Sequence, residues 1–164
     1  MGSVWQHDAD DDALNMEDQT GQMVGVFGSV FVLLYFIALW MGDPGFYTSE
    51  FSDVDAVVLF VPIVLGIFPA FIRMVYMRQN PARPFDVLNT ALFVLSAIYF
   101  LNNFHFDMSQ FSYPFPESLR FLVDWIDEGW ARIILMVGIF GGTVGSIWIA
   151  ITYVKVRQIL KMGS

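Results

Sequence analysis

Cysteine is absent from the 164 residues, which excludes disulfides, thiolate metal sites and cysteine nucleophiles and leaves no sign of redox compartment. Histidine occurs only twice, too few to furnish the roughly four ligands that a structural zinc demands. Positive charge is scarce: eight Lys and Arg stand against sixteen Asp and Glu, a net charge of −8. That balance does not suit nucleic acid, which selects basic patches. Residues 1–23 hold no lysine or arginine, so the first apolar stretch lacks the basic leader of a cleavable signal and is expected to be retained. Charge of either sign makes up 15% of the chain, against about 25% in a typical soluble domain.

What fills the chain instead is apolar: 56% of its residues are hydrophobic and the mean hydropathy is +0.57. These residues fall in long uncharged runs. There are 24 residues between Asp18 and Asp43, 17 from Ala56 to Ile72, 20 between Asp86 and Asp107, and 22 from Ile133 to Val154. A helix needs roughly 20 apolar residues to cross about 30 Å of hydrocarbon, and the second run is lengthened if Arg73 extends its head group to the interface. Stretches such as Val30–Trp40 and Ile133–Phe140 lack the apolar–polar alternation of barrel strands. The expected fold is all-α: a four-transmembrane-helix bundle with spans over about residues 21–41, 55–78, 86–104 and 131–155, forming a single membrane domain at 21–162.

Residues 1–20 carry six acids and few large apolar side chains, the pattern of a solvated tail; docking on a basic partner is the less favoured alternative. Asp10–Asp12 lacks the alternating ligands and glycine of a calcium loop. Pro62, Gly66 and Pro69 predict a kink in the second span. Gln79–Pro84 predicts a tight turn because each proline disfavours helix in the residue before it, and Asp86 is expected to cap the third helix. Between 102 and 117 aromatic and polar residues alternate, which suits the head-group level. From Ser118 a helical period returns, with Arg120–Asp124 and Glu128–Arg132 spaced for ion pairing, so an amphipathic interfacial helix is expected over 118–129.

Topology follows from the basic residues, which stay on the cytoplasmic side of short loops. Arg73, Arg78, Arg83, Lys155, Arg157 and Lys161 would share one side, against Arg120 and Arg132 on the other. Both termini are therefore expected in the cytoplasm, in a plasma or inner membrane. The opposite side would carry nine acids, Asp43, Glu50, Asp53, Asp55, Asp107, Glu117, Asp124, Asp127 and Glu128.

Three constellations bear on function. Gly138/Gly142 and Gly141/Gly145 form two overlapping small-x-x-x-small pairs, which let another backbone approach closely; the partner is either a second subunit or one of the chain's own helices. Gly21, Gly25 and Ser29 repeat the motif more weakly. Asn89, Ser96 and Asn103, at i, i+7 and i+14, form one polar stripe, read as hydrogen-bond glue between helices in preference to the lining of a hydrated path. His105 and Asp107 supply too few ligands for a metal, and topology puts His7 across the bilayer. Thr143-Val144-Gly145 does not continue as a potassium filter, and no serine sits in a nucleophile turn with a usable base. No catalytic residue, metal or cofactor is assigned. The expected role is a non-catalytic accessory subunit that packs against other membrane proteins, or against copies of itself, in an energy-transducing or transport complex; the alternative is a small homo-oligomeric cation channel or transporter with an acidic outer face.

Overall fold

The computed structural model describes residues 4–10, 12–13, 16–42 and 45–162. The α-helices are α1 (Val4–Asp10), α2 (Met16–Gly42), α3 (Asp53–Leu65), α4 (Ile67–Tyr76), α5 (Arg83–Asn102) and α6 (Glu128–Met162), with 3₁₀ turns at Met108–Gln110 and Glu117–Leu122; no strand occurs among the described residues. Four helices are long and apolar enough to cross a membrane: Met23–Gly42, Asp53–Tyr76, Arg83–Asn102 and Glu128–Met162. Phe27, Leu95 and Phe140 on their outer surfaces are more than half exposed, an arrangement that hydrocarbon accommodates and water does not.

The second of these segments is interrupted at Gly66, between α3 and α4. Pro69 has no N–H to offer the carbonyl four residues back, so the ladder fails near Leu65, and the chain breaks where its smallest residue stands. A Cβ on Gly66 would lie 3.1 Å from Asn89 Nδ2 and 3.2 Å from the Pro62 carbonyl, so glycine there also admits α5. The interruption falls where a kink is expected, although Gly66 itself keeps right-handed helical angles, φ −62° and ψ −19°, and donates to the Pro62 carbonyl at 2.9 Å. Met77 ends α4 in the left-handed conformation, φ 53°, its N–H donating to the Arg73 carbonyl at 2.9 Å. The turn at 79–84 closes through Ala82 N–H to Gln79 O and Arg83 N–H to Asn80 O.

Helix α5 starts at Arg83 with Ala82 as its N-cap and Pro84 in its first turn, a position where proline's missing donor costs nothing. Asp86 is thus one turn inside, where it pairs with Arg73 of α4; the capping role expected of it does not hold. Helices α5 and α6 run antiparallel in close contact. Leu101 O accepts from Arg132 Nη1 at 2.9 Å, and a Cβ at Gly138 would meet Phe93 at 3.2 Å and one at Gly142 would meet Val94 at 2.7 Å. Helix α6, at 35 residues, is about 52 Å long, longer than the roughly 30 Å thickness of a hydrocarbon core. Helix α2 packs on α3 and α4, α3 on α5, and α6 on α5 and α1; among the described residues α2 and α6 have no substantial contact.

Two expectations are corrected. Over 118–127 there is no α-helix, and only Glu128 and Gly129 of the expected segment are α-helical, as the start of α6: Leu119 N–H donates to Pro116 O, and Val123 N–H to Arg120 O, both i→i−3 bonds, and Arg120 Nε donates to the Phe115 carbonyl at 3.2 Å in place of the expected pairing with Asp124. The Glu128–Arg132 pair is present at 2.8 Å. The acidic tail is not simply solvated where it is described. Helix α1 packs on α6, with the Trp5 and Trp148 rings 5.3 Å apart, and α2 already begins at Met16. Asp12 is buried, accepting from Asn80 N–H at 2.7 Å, while Gln79 N–H donates to the Asp12 carbonyl. The tail thus docks on the arginine-rich turn of its own chain. Asp11, Asn15 and Asp43 lie outside the described residues, so the acidic run at 10–12 is described only in part.

Candidate functional site

Polar and aromatic residues converge at the end of the helices opposite the arginine turn. Ser52 and Asp55 begin α3 with a reciprocal capping box: Ser52 N–H and Ser52 Oγ both donate to Asp55 Oδ2, at 2.7 and 2.6 Å, and Asp55 N–H donates to Ser52 Oγ. Such a box satisfies two otherwise orphaned helix donors. It also fixes the Asp55 carboxylate inward, with no exposed surface.

Gly45, at φ +87°, turns the chain after α2 in a conformation that costs other residues a Cβ clash. The following residues pair with the segment beyond α5. Asp107 N–H donates to Phe46 O at 2.7 Å, Thr48 N–H donates to His105 O at 3.2 Å, and Tyr47 and Phe106 form an antiparallel bridge. This pairing is held by rings: Phe46 lies 4.9 Å from Tyr47 and 5.3 Å from Phe106, and Phe106 lies 4.9 Å from Phe100. Aromatic pairs at such spacing contribute about 0.5–1.5 kcal/mol each beyond the area they bury. Tyr47 donates to the Phe36 carbonyl at 3.0 Å, and burial, reinforced by Tyr35, pushes its phenol far above the usual range, so it remains a donor.

The pinned loop carries His105 to the start of α3. Its Nδ1 is 3.4 Å from Asp55 Oδ1 and its Nε2 is 3.8 Å from Glu50 Oε2. A carboxylate–imidazole–carboxylate line results, running from Glu50, whose side chain is 79% exposed, to the fully buried Asp55. The Tyr99 phenol lies against the same buried carboxylate. Protonated, the imidazole has an acid on each side. A metal does not fit this geometry, since the two ring nitrogens address different carboxylates on opposite edges. Among the described residues no group of three or more His, Cys, Asp or Glu is arranged to hold one. Replacing Asp55 with alanine is expected to lower stability by about 2 kcal/mol, through loss of the cap and of the histidine's buried partner, measured by thermal unfolding in detergent. Glu50→Ala should shift it by less than about 0.5 kcal/mol, because exposed pairs contribute little.

Below this line is a cavity of about 200 Å³, walled by Phe36, Phe46, Phe100, Phe104, Phe106 and Phe111 together with aliphatic residues of α3 and α6. No polar atom contributes to its surface.

The expected site residues separate in the structure. Gly138 and Gly142 face α5, whereas Gly141 and Gly145, like Gly21 and Gly25, have open space where a Cβ would stand, with nothing within 4 Å. Ser29 Oγ donates to Gly25 O within α2. The polar stripe does not act as one unit: Ser96 Oγ donates across to Val58 O of α3 at 2.8 Å, Asn103 Nδ2 donates to Tyr99 O of its own helix, and Asn89 Oδ1 is buried without a partner. His105 and Asp107 part company, Asp107 accepting from Ser109 N–H at 2.9 Å. Arg157 Nη1 donates to Tyr153 Oη, and Arg83 Nη1 to Asn80 Oδ1; because α5 and α6 are antiparallel, Arg83 stands at the same end of the helices as Lys155, Arg157 and Lys161. Glu50, Asp55 and Tyr99 are not singled out by sequence as a site. The Ser52-x-x-Asp55 spacing before an apolar run is a legible capping signal, but nothing local announces that Asp55 meets a histidine 50 residues later. Searches of family models, curated proteins and solved structures find no match to this chain.

Proposed function

We propose that this chain is a non-catalytic four-span membrane subunit, a helix bundle with both termini cytoplasmic, that receives a membrane helix of another protein between α2 and α6. The observation that carries the reading is the division of the glycine face of α6. Gly138 and Gly142 are spent on α5, while Gly141 and Gly145 remain open. Ile134, Gly141, Gly145 and Trp148 are spaced i, i+7, i+11 and i+14, so they form one stripe from the aromatic cavity, which Ile134 lines, to the Trp5 contact of α1. On α2, Gly25, Gly28 and Ser29 line a groove of about 400 Å³ shared with Pro62, Gly66, Asn89 and Phe93. Small residues on α2 and on the open stripe of α6 favour close approach of a helix backbone.

The channel alternative is weakened by Ser96, whose hydroxyl is committed to the Val58 carbonyl and so serves as glue between α3 and α5. Native mass spectrometry of the protein gently extracted from its source membrane tests the proposal. Adducts with foreign membrane subunits are the expected result. A ring of identical copies would favour the channel, and a bare monomer would refute both.

A further inference from the structure

We infer that the aromatic cavity is a binding site for a single hydrocarbon chain of a bilayer lipid, which enters sideways between α2 and α6. The inference does not rest on the partner helix proposed above, only on the chain's lying in a bilayer. The first ground is the wall, which exposes no polar atom. Among the described residues, the buried side-chain polar atoms left without hydrogen bonds, Asp55 Oδ1, His105 Nδ1, Asn89 Oδ1 and Ser146 Oγ, belong to residues outside the lining. A ligand ring bearing carbonyls or amines would therefore leave its own polar groups unsatisfied there, at a cost that a hydrocarbon chain avoids.

The second ground is size. An apolar cavity of about 150 Å³ stays dry and takes up benzene; at about 200 Å³ this one has room for the terminal carbons of a chain. The third ground is access. Ile134 lines the cavity and is 51% exposed, so the wall on the α6 side is also outer surface. Phe36 of α2 forms the facing wall, and α2 and α6 have no substantial contact to close the gap. Among species that reach such an opening from within a membrane, lipid chains are in overwhelming excess, and occupancy follows concentration.

The test uses the full chain in liposomes containing a phosphatidylcholine with a diazirine on one acyl chain, with adducts mapped by mass spectrometry after illumination. Phe46 and Phe100 line the cavity but are only 2% and 4% exposed, so a lipid that stays in the surrounding belt does not reach them, whereas Phe140, at 75%, reports the belt. Adducts on Phe46 and Phe100 are expected beside those on Phe140. Ala131→Phe, which fills the cavity from α6, should reduce the Phe46 and Phe100 adducts at least fivefold and leave Phe140 unchanged. Adducts confined to belt residues, or cavity adducts indifferent to Ala131→Phe, would overturn the inference. If that variant does not fold, the wild-type map decides alone, and a co-purifying small molecule with Phe46 and Phe100 unlabelled would assign another occupant and refute the lipid.

Discussion

Replacing Gly142 with leucine is expected to prevent α5 and α6 from packing and to leave little folded protein. A single methyl at this position would stand 2.7 Å from Val94 Cγ2 and 3.5 Å from Thr90 Cγ2, so even Gly142→Ala should cost about 1–3 kcal/mol by overpacking. Leucine adds three more carbons to the same contact. Between membrane helices dispersion supplies most of the attraction, and it falls off steeply when a gap opens. Gly141→Leu, one residue away with nothing within 4 Å, should leave the isolated chain's thermal unfolding unchanged and weaken only its association with a partner. Equal loss of stability in both variants would contradict the division of the glycine face.

The second large effect is expected at the arginine end, where Arg73 of α4 meets Asp86 of α5. Their side chains are 20% and 17% exposed, and the pair ties the segment after the Gly66 break to the next helix. Asp86→Leu takes a counter-charge away from the guanidinium in a poorly solvated place. The expected loss is about 2 kcal/mol, less than for a fully buried pair because some exposure remains. The double variant Arg73→Leu/Asp86→Leu should recover most of it, since removing both charges also removes their desolvation cost. Denaturation in mixed micelles followed by circular dichroism reads all three proteins. A double variant no more stable than the single would show that the loss does not come from the guanidinium stripped of Asp86.

The four apolar helices are legible in sequence because their signal is local: a run of uncharged residues long enough to cross hydrocarbon. Their ends are less so. Proline tolerated in the first turn lets α5 start at Arg83, ahead of Asp86, and turns an expected cap into an interhelical ion pair. The period of Phe121, Leu122, Trp125 and Ile126 suggests an α-helix, but Pro116 starts this segment and its bonds close mostly at i→i−3, where apolar spacing alone does not distinguish the two helix types. The glycine spacing in α6 is visible, yet which pair faces α5 depends on Phe93 and Val94, about 50 residues away in the chain. The same holds for the aromatic end. Its rings stand out as a composition, while the meeting of Glu50, Asp55 and His105 depends on the Phe46–Asp107 and Thr48–His105 backbone bonds, which have no local signature. The tail's docking likewise rests on a buried Asp12 that composition assigns to solvent.

Four membrane crossings with the arginine end in the cytoplasm underlie the function proposed for this chain, and the absence of native cysteine makes that claim directly accessible. Ser49, Ser109, Arg78 and Lys161 are all exposed, so a cysteine at any of them is open to reagent once the correct side is reached. In intact cells a membrane-impermeant maleimide should label Ser49→Cys and Ser109→Cys, and should label Arg78→Cys and Lys161→Cys only after permeabilisation. Labelling of Arg78→Cys or Lys161→Cys from outside, or protection of either serine position, would contradict four crossings with the arginine end in the cytoplasm.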